Sequence, residues 1–319
     1  MSKNFGLKSI VCVGGGNAMP SAVLQGIKKY PLEITAISAT LDSGGSSGRL
    51  RKKYGIISPG DLRRAFLALS EAPRSTIELF SFRYPGGENK GHNFGNILFA
   101  ALYLASGSYE KTLEEFGRLL RVRHRVLPAT LSDSHLFALL ENGRTISGET
   151  NIDIPKHNSR PKIKKVFLNP PACIYPASEE ALRKADSIVI GPGDLYSSIL
   201  QILSVAGFSR AIRESRAKKI YICNLMTKKG ETEGMGVADF AAETERYLGD
   251  KVDFVIYNDR KPSVARLKRF LKKHPQFLKP VSFGGGLPDN KFIGADVMSE
   301  NGDIVHDPRK LARIIARLL

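Results

Sequence analysis

The 319-residue sequence predicts an α/β protein with a doubly wound, mostly parallel sheet, and three observations carry that expectation. Short β-rich apolar runs recur along the chain. Segments of helical periodicity separate them. Most of the runs end in glycine, asparagine or other small residues, as strands do when a parallel sheet gathers its loops at one edge.

The first run, Ser9 to Val13, meets Gly14-Gly15-Gly16, and Ala18 to Lys29 then reads as a helix. Glu33 to Thr40 is a second strand, ending at a small-residue loop from Asp42 to Gly48. Strand, glycine loop, helix and strand together open a parallel βαβ unit. From Pro59 to about Arg121 the pattern is helical. One segment starts at Asp61, and another, Phe94 to Leu104, is apolar nearly all round and is expected to be a buried helix. Between His135 and Glu149 the period changes, and Asn142-Gly143 between two extended runs predicts a hairpin. Ile163 to Leu168 reads as a further strand, so this middle stretch is expected to be a helical and β-hairpin excursion on the main sheet. The doubly wound pattern resumes with strands at Asp186 to Ile190, Lys219 to Cys223 and Val252 to Tyr257. Helices are expected at Leu195 to Leu203, Phe240 to Leu248 and Pro308 to Leu318. With no internal repeat and no low-complexity linker, residues 1–319 are expected to form a single domain.

The composition is that of an ordinary soluble globular chain, 42% hydrophobic and 25% charged. No apolar run approaches the ~20 residues of a membrane span, and the N-terminus reads as a strand and not a signal peptide. Cys12, Cys173 and Cys223 lack metal-ligand or redox spacing, which predicts a reducing, cytoplasmic setting. The net charge of +17 favours anionic partners. Seven basic residues and no acid lie between Arg260 and Lys273, where Val264, Leu267, Phe270 and Leu271 recur at helical spacing. We read this as an amphipathic helix with a solvated basic face. No recognised nucleic-acid module accompanies the charge, so a nucleic-acid partner is not expected.

The strand ends carry the candidate chemistry. Gly14, Gly15, Gly16 and Asn17 can bring unhindered main-chain amides to a phosphate near a helix N-terminus. The third glycine of the dinucleotide fingerprint is missing, because Met19 takes its place, and no P-loop lysine follows. A tight strand–helix turn explains the same residues equally well. Asp42, Ser43, Gly44, Gly45, Ser46, Ser47 and Arg49 form a denser loop that could wrap an anion, with Asp42 holding a metal or a ribose. Its literal G-x-S-x-G around Ser46 has no evident histidine base. Gly191, Gly193 and Asp194 form a third loop, where Asp194 can also be a plain N-cap. Tyr196, Ser197 and Ser198 follow in the first helical turn. Asn224, Met226 and Thr227 end another strand. His92, Asn93 and Asn96 open the apolar helix, with His92 either an acid–base group or a structural histidine.

These motifs, GGG at 14–16, DSGGSSGRLR at 42–51, SPGDLRR at 58–64, GHNFGN at 91–96, GPGDLYSSIL at 191–200, YICNLMTKKGET at 221–232 and HDPRKLA at 306–312, resemble the CofD/YvcK-like superfamily in order across nearly the whole chain. The likeness is stronger to its gluconeogenesis-factor branch than to its 2-phospho-lactate transferases. The resemblance implies a Rossmann-like nucleotide-binding fold and, for that branch, a UDP-sugar ligand and a role in cell shape and growth on gluconeogenic carbon. For the transferase branch it implies a guanosine diphosphate donor and magnesium. It also makes a homodimer plausible. Gly14, Gly15, Gly16, Asp42, Gly44, Gly45, Ser46, Asp61, His92, Asn96, Gly191, Gly193 and Asn224 carry over as ligand-lining positions. Three positions depart from the family pattern: Asn17-Ala18 for Thr-Gly, Ser43 for an acid, and Asp194 for a serine. A lost acid weakens any mechanism needing two carboxylates on a metal. A gained one opposes a diphosphate unless a cation lies between.

Two functions from different classes follow. The first is a nucleotide-sugar-binding regulator of carbon metabolism, cell shape and envelope synthesis, without catalysis. The alternative is a Mg²⁺-dependent transferase. There Asp42, Asp61 and His92 would be catalytic, Asp42, with Asp61 as a second candidate, would hold the metal, and Arg49 or Arg63 would clamp phosphate oxygens.

Overall fold

The structure is a computed structural model that describes residues 7–154, 161–284, 286–288 and 290–319. Its strands in chain order are β1 Lys8–Gly14, β2 Leu32–Ser38, β3 Arg125–Pro128, β4 His135–Leu140, β5 Thr145–Ser147, β6 Ile163–Asn169, β7 Ser187–Ile190, β8 Lys218–Ile222, β9 Met226–Lys228, β10 Phe254–Asn258, β11 Phe277–Pro280 and β12 Phe292–Ala295. Seven of them form one sheet in the order β12-β10-β8-β7-β1-β2-β3. Every pairing in it is parallel. The expected parallel sheet is therefore present. The hairpin is also present: β4 and β5 pair antiparallel across a turn with Gly143 at φ 82°, and β6 completes a small separate sheet.

A parallel sheet is buried on both faces, so its strands read as continuous apolar runs. In β1 the side chains alternate between two cores. Val11 and Val13 join Ile188, Ile190, Tyr221, the helices Leu200–Leu203, Phe208–Glu214 and Val237–Leu248, and the small antiparallel sheet. Ile10 and Cys12 join Ile34, Ile220, Ile256 and the opposite layer, which includes the helices Gly60–Leu69, Val264–Lys273 and Pro308–Leu318. Cys12 and Cys223 are buried, as their apolar contexts predict, and Cys173 is exposed. No helix among the described residues is long and apolar enough to cross a membrane.

Three sequence expectations need correction. The segment expected as a loop to Gly48 is the start of a helix, Gly45–Tyr54. The Gly48 amide donates to the Gly44 carbonyl at 2.8 Å, and a Cβ on Gly48 would strike the Ser43 carbonyl. The glycines there serve close packing of a helical turn. The apolar helix runs Phe94–Ser106 but is buried on one side only, at Gly95, Asn96, Phe99 and Ala100, while Leu104 is 53% exposed. The basic helix starts at Val264, which is 71% exposed, and one of its cations is not solvated. Arg266 is buried and its guanidinium donates to the carbonyls of Ser299, Gly302 and Asp303 at 2.7–3.0 Å. Strands β3, β9, β11 and β12 carry no clear sequence signal.

Candidate functional site

Strand order reverses between β1 and β7, because the chain leaves β1 toward β2 and β3 and returns to its other side as β7. In open α/β sheets such a switch point leaves a crevice beyond the carboxyl ends of the strands. A cleft of about 360 Å³ lies there, lined by Gly15, Gly16 and Asn17 after β1, Gly193 and Asp194 after β7, and Asn224 and Met226 after β8. Its far wall comes from later in the chain: Phe270, His274 and Phe277, then Val305 and His306. The Phe270 ring lies 4.7 Å from His274 and 5.4 Å from Phe277, centroid to centroid. The Oδ1 of Asn224 is buried without a hydrogen-bond partner, and an acceptor left so invites a ligand donor.

The glycine loop is tied to the helix Gly60–Leu69. Its amide at Gly16 donates to Asp61 Oδ2 at 2.8 Å, and Arg64 Nε donates to the Gly16 carbonyl at 3.0 Å. Arg64 Nη2 also binds Asp61 Oδ1 and stands 3.9 Å from Asp42 Oδ2. A Cβ on Gly15 would strike Asp61 Oδ2 and come within 2.8 Å of Ser198 Oγ. The ends of β1, β2 and β7 thus converge on one edge. Several expected donors there are already engaged. Burial and the charges of Asp61 and Glu149 push the Asp42 carboxyl well above its ordinary value. Burial and the charge of Asp153 push Glu149 up to about 7.

Beside this edge lies a buried polar network. Ser46 Oγ is 3.2 Å from His92 Nδ1 and accepts the Asn93 amide at 3.1 Å. Asn96 Nδ2 reaches Ser46 Oγ and Ser47 Oγ at 3.3 and 3.2 Å, while Asn96 Oδ1 accepts from Arg63 Nε at 2.9 Å. Asn93 caps its helix and donates to the Ser81 and Phe82 carbonyls. Arg63, Asn93 and Asn96 are more than nine-tenths buried, and their polar groups hold this network together, which explains their residue types without a ligand. Burial holds the His92 imidazolium below its ordinary pKa. Ser43 Oγ accepts the Thr150 amide at 3.3 Å. Arg49 is exposed and donates to the Lys90 carbonyl at 3.0 Å, away from the cleft lining.

Further expectations change. Tyr196 lies beside Glu243, on the side of the helix turn away from the cleft. The amides of Tyr196 and Ser197 donate to Glu231 Oε1 at 2.9 and 3.0 Å, so this helical turn is already engaged within the chain. Thr227 is buried in the β9–β11 pair, its hydroxyl donating to the Lys279 carbonyl at 3.1 Å. Gly14 and Gly191 are not among the cleft's lining residues. Gly44 and Gly45 are at the start of the neighbouring helix. The aromatic wall, Lys228 and Glu231 were not singled out in the sequence, although His306, Lys228 and Glu231 lie inside quoted motifs.

Magnesium can be tested on donor chemistry. Among the described residues, one group of carboxylates is close enough to hold an ion: Asp153, Asp194 and Glu231, with ligand oxygens within 4.8 Å of one another. Asp42 is not a member. Oxygen donors suit a hard cation, but the place is taken by Lys228, which binds Asp153 and lies 3.2 Å from Asp194 and 3.8 Å from Glu231. This three-carboxylate cluster therefore does not fit a magnesium ion while Lys228 occupies it.

A doubly wound parallel sheet with an open, partly aromatic crevice at its switch point defines an α/β protein whose candidate site lies beyond its strand ends. The chain belongs to the CofD family, described as 2-phospho-L-lactate transferase CofD, which matches residues 10–284. It is similar to the Bacillus subtilis gluconeogenesis factor, 36% identical over 324 residues that cover 99% of each chain. The gluconeogenesis factor of Halalkalibacterium halodurans is 44% identical over 235 residues, 73% of this chain and 71% of the relative. A crystal structure of a Bacillus halodurans member of the UPF0052 family superposes with a TM-score of 0.89 at 35% identity, covering 97% of this chain and 99% of the other.

Proposed function

We propose that this chain binds a nucleoside diphosphate sugar of the UDP type across the β1/β7 crevice. In this reading it is a cytoplasmic gluconeogenesis factor that adjusts carbon metabolism, cell shape and envelope synthesis to the level of that ligand. The observation that carries the reading is the division of the cleft. Glycines 15, 16 and 193 form one side, where a pyrophosphate can approach main chain closely, and His274 and Phe277, packed on the buried ring of Phe270, form the other, where a base can stack. Arg64 behind Gly16 offsets the Asp61 charge. Burial pushes His306 down to about 4, so it is neutral and its Nε2 donates to the Cys223 carbonyl at 3.2 Å. A thermal-shift panel of UDP-, GDP- and NAD-type ligands, with and without Mg²⁺, tests this: a UDP-sugar should raise Tm and be recovered unchanged. No shift with any nucleotide would end the proposal.

A phosphate-linked group transferase is the second reading. It is favoured by the Glu149 carboxyl, whose pKa near 7 lets it hold or release a proton at neutral pH beside the cleft. Consumption of the nucleotide donor in the same panel would select it.

A further inference from the structure

The carboxylates of Asp153, Asp194 and Glu231 have the donor type and mutual spacing of a divalent-cation site. They are held firmly. Glu231 is buried and accepts the amides of Tyr196 and Ser197 and the Ser197 hydroxyl. Asp153 Oδ1 accepts from Ser197 Oγ at 3.2 Å. Into their midst β9 delivers Lys228, whose side chain is only 7% exposed. Its main chain is fixed as well, since the Lys228 amide donates to Thr232 Oγ1 at 2.9 Å and the Lys228 carbonyl accepts the Thr232 amide at 2.9 Å. One ammonium thus faces all three carboxylates at once.

We propose that the Lys228 ammonium is a built-in cation standing where a divalent ion would otherwise sit among Asp153, Asp194 and Glu231, which makes this edge of the cleft independent of metal. Both charges cannot share the space, because a dication beside a buried ammonium meets strong repulsion at low local dielectric. Asp194 shows why the arrangement matters. It lines the cleft, and its countercharge is supplied from within the chain at 3.2 Å. The cleft keeps this carboxylate without requiring magnesium to neutralise it. A fixed ammonium also differs from a metal in what it offers a ligand: it holds the charge of the wall but has no open coordination position for a phosphate oxygen.

The consequence for the ligand rests on the nucleotide reading, but the test uses Mn²⁺ alone and succeeds or fails separately. Full-length wild type, Lys228→Gln and Asp194→Asn are titrated with Mn²⁺, following the free-ion electron paramagnetic resonance signal and Tm. Wild type should leave the free Mn²⁺ signal unchanged to millimolar concentration. Lys228→Gln should take up one ion per chain and gain Tm as it does so. Uptake by wild type that Asp194→Asn abolishes would overturn the proposal, as would a folded Lys228→Gln that takes up none. If Lys228→Gln fails to fold, wild type against Asp194→Asn still decides: a Mn²⁺ ion lost with Asp194 refutes the built-in cation, and no uptake in either supports it.

Discussion

The Gly16 amide donates to Asp61 Oδ2 at 2.8 Å, so a carboxylate from the chain itself occupies a donor of the first glycine loop. Arg64 answers that charge by binding the other Asp61 oxygen and, through its Nε, the Gly16 carbonyl. The loop is therefore locked to the helix Gly60–Leu69 before any ligand arrives. Removing the carboxylate should loosen the lock: Asp61→Ala is expected to lose about 3 kcal/mol, since it strands Arg64 and an amide in a largely buried setting. Urea unfolding measures the loss, and a change under 1 kcal/mol, about the value of an exposed pair, would show that the lock carries no load.

Gly15 tests how tightly the loop is packed. Its missing Cβ is the space that Asp61 Oδ2 and Ser198 Oγ use, and Asp61 is pinned by two partners. Gly15→Ala should cost about 1–3 kcal/mol by overpacking and weaken nucleotide binding with it. Wild-type Tm and affinity in this variant would contradict the close approach.

Asn224 is expected to behave oppositely in the two assays. Its buried Oδ1 lacks a partner, which costs about 1–3 kcal/mol in the free protein. Asn224→Leu should therefore leave Tm unchanged or raise it, while nucleotide affinity falls. Calorimetry of free protein and ligand titration together check this. A drop in Tm with intact affinity would give Asn224 a structural role instead.

Two buried groups should tilt stability against pH in opposite directions. Burial pushes the Glu231 carboxyl up to about 7, so the folded state holds a proton that the unfolded chain releases. That contribution is complete below about 4.5, the ordinary glutamate range, and is lost as pH rises through 7. His306 is pushed down to about 4, so the unfolded chain binds the extra proton. Its contribution is present above about 6.5 and is lost as pH falls through 4. Between pH 5 and 7, Glu231→Gln should make ΔG of unfolding rise more steeply with pH, and His306→Gln should flatten it. Slopes that move the same way in both variants would contradict the assigned protonation states.

Much of the fold was legible because the strands β1, β2, β7, β8 and β10 are buried mostly on both faces and had to be apolar, and because glycine or asparagine ends β1 and β10, follows β7 and stands two residues past β8. β12 and β3 were missed as short edge strands whose pattern adds little to their surroundings. Gly45 to Gly48 misled because glycine and serine mark loops, whereas here they fit a helix start against Ser43 and Thr150. In the cleft, Gly15, Gly16, Asn17, Gly193, Asp194, Asn224 and Met226 were readable from their places at strand ends. Phe270 and Phe277 were not, since an aromatic residue in an amphipathic segment looks the same whether it faces a core or a ligand. Lys228 was hidden for a related reason: a lysine in a polar stretch gives no sign that two acids from distant segments will join Glu231 around it.

Arg266 ties the helix that carries Phe270 to the 299–303 turn that leads into Val305 and His306. Lys273 and His274 reinforce the joint through Asp303, at 2.6 and 3.3 Å. The aromatic ring wall and the histidine wall are consequently a single jaw, braced at its base. A substitution at Arg266 should splay that jaw even though its side chain is not part of the cleft lining.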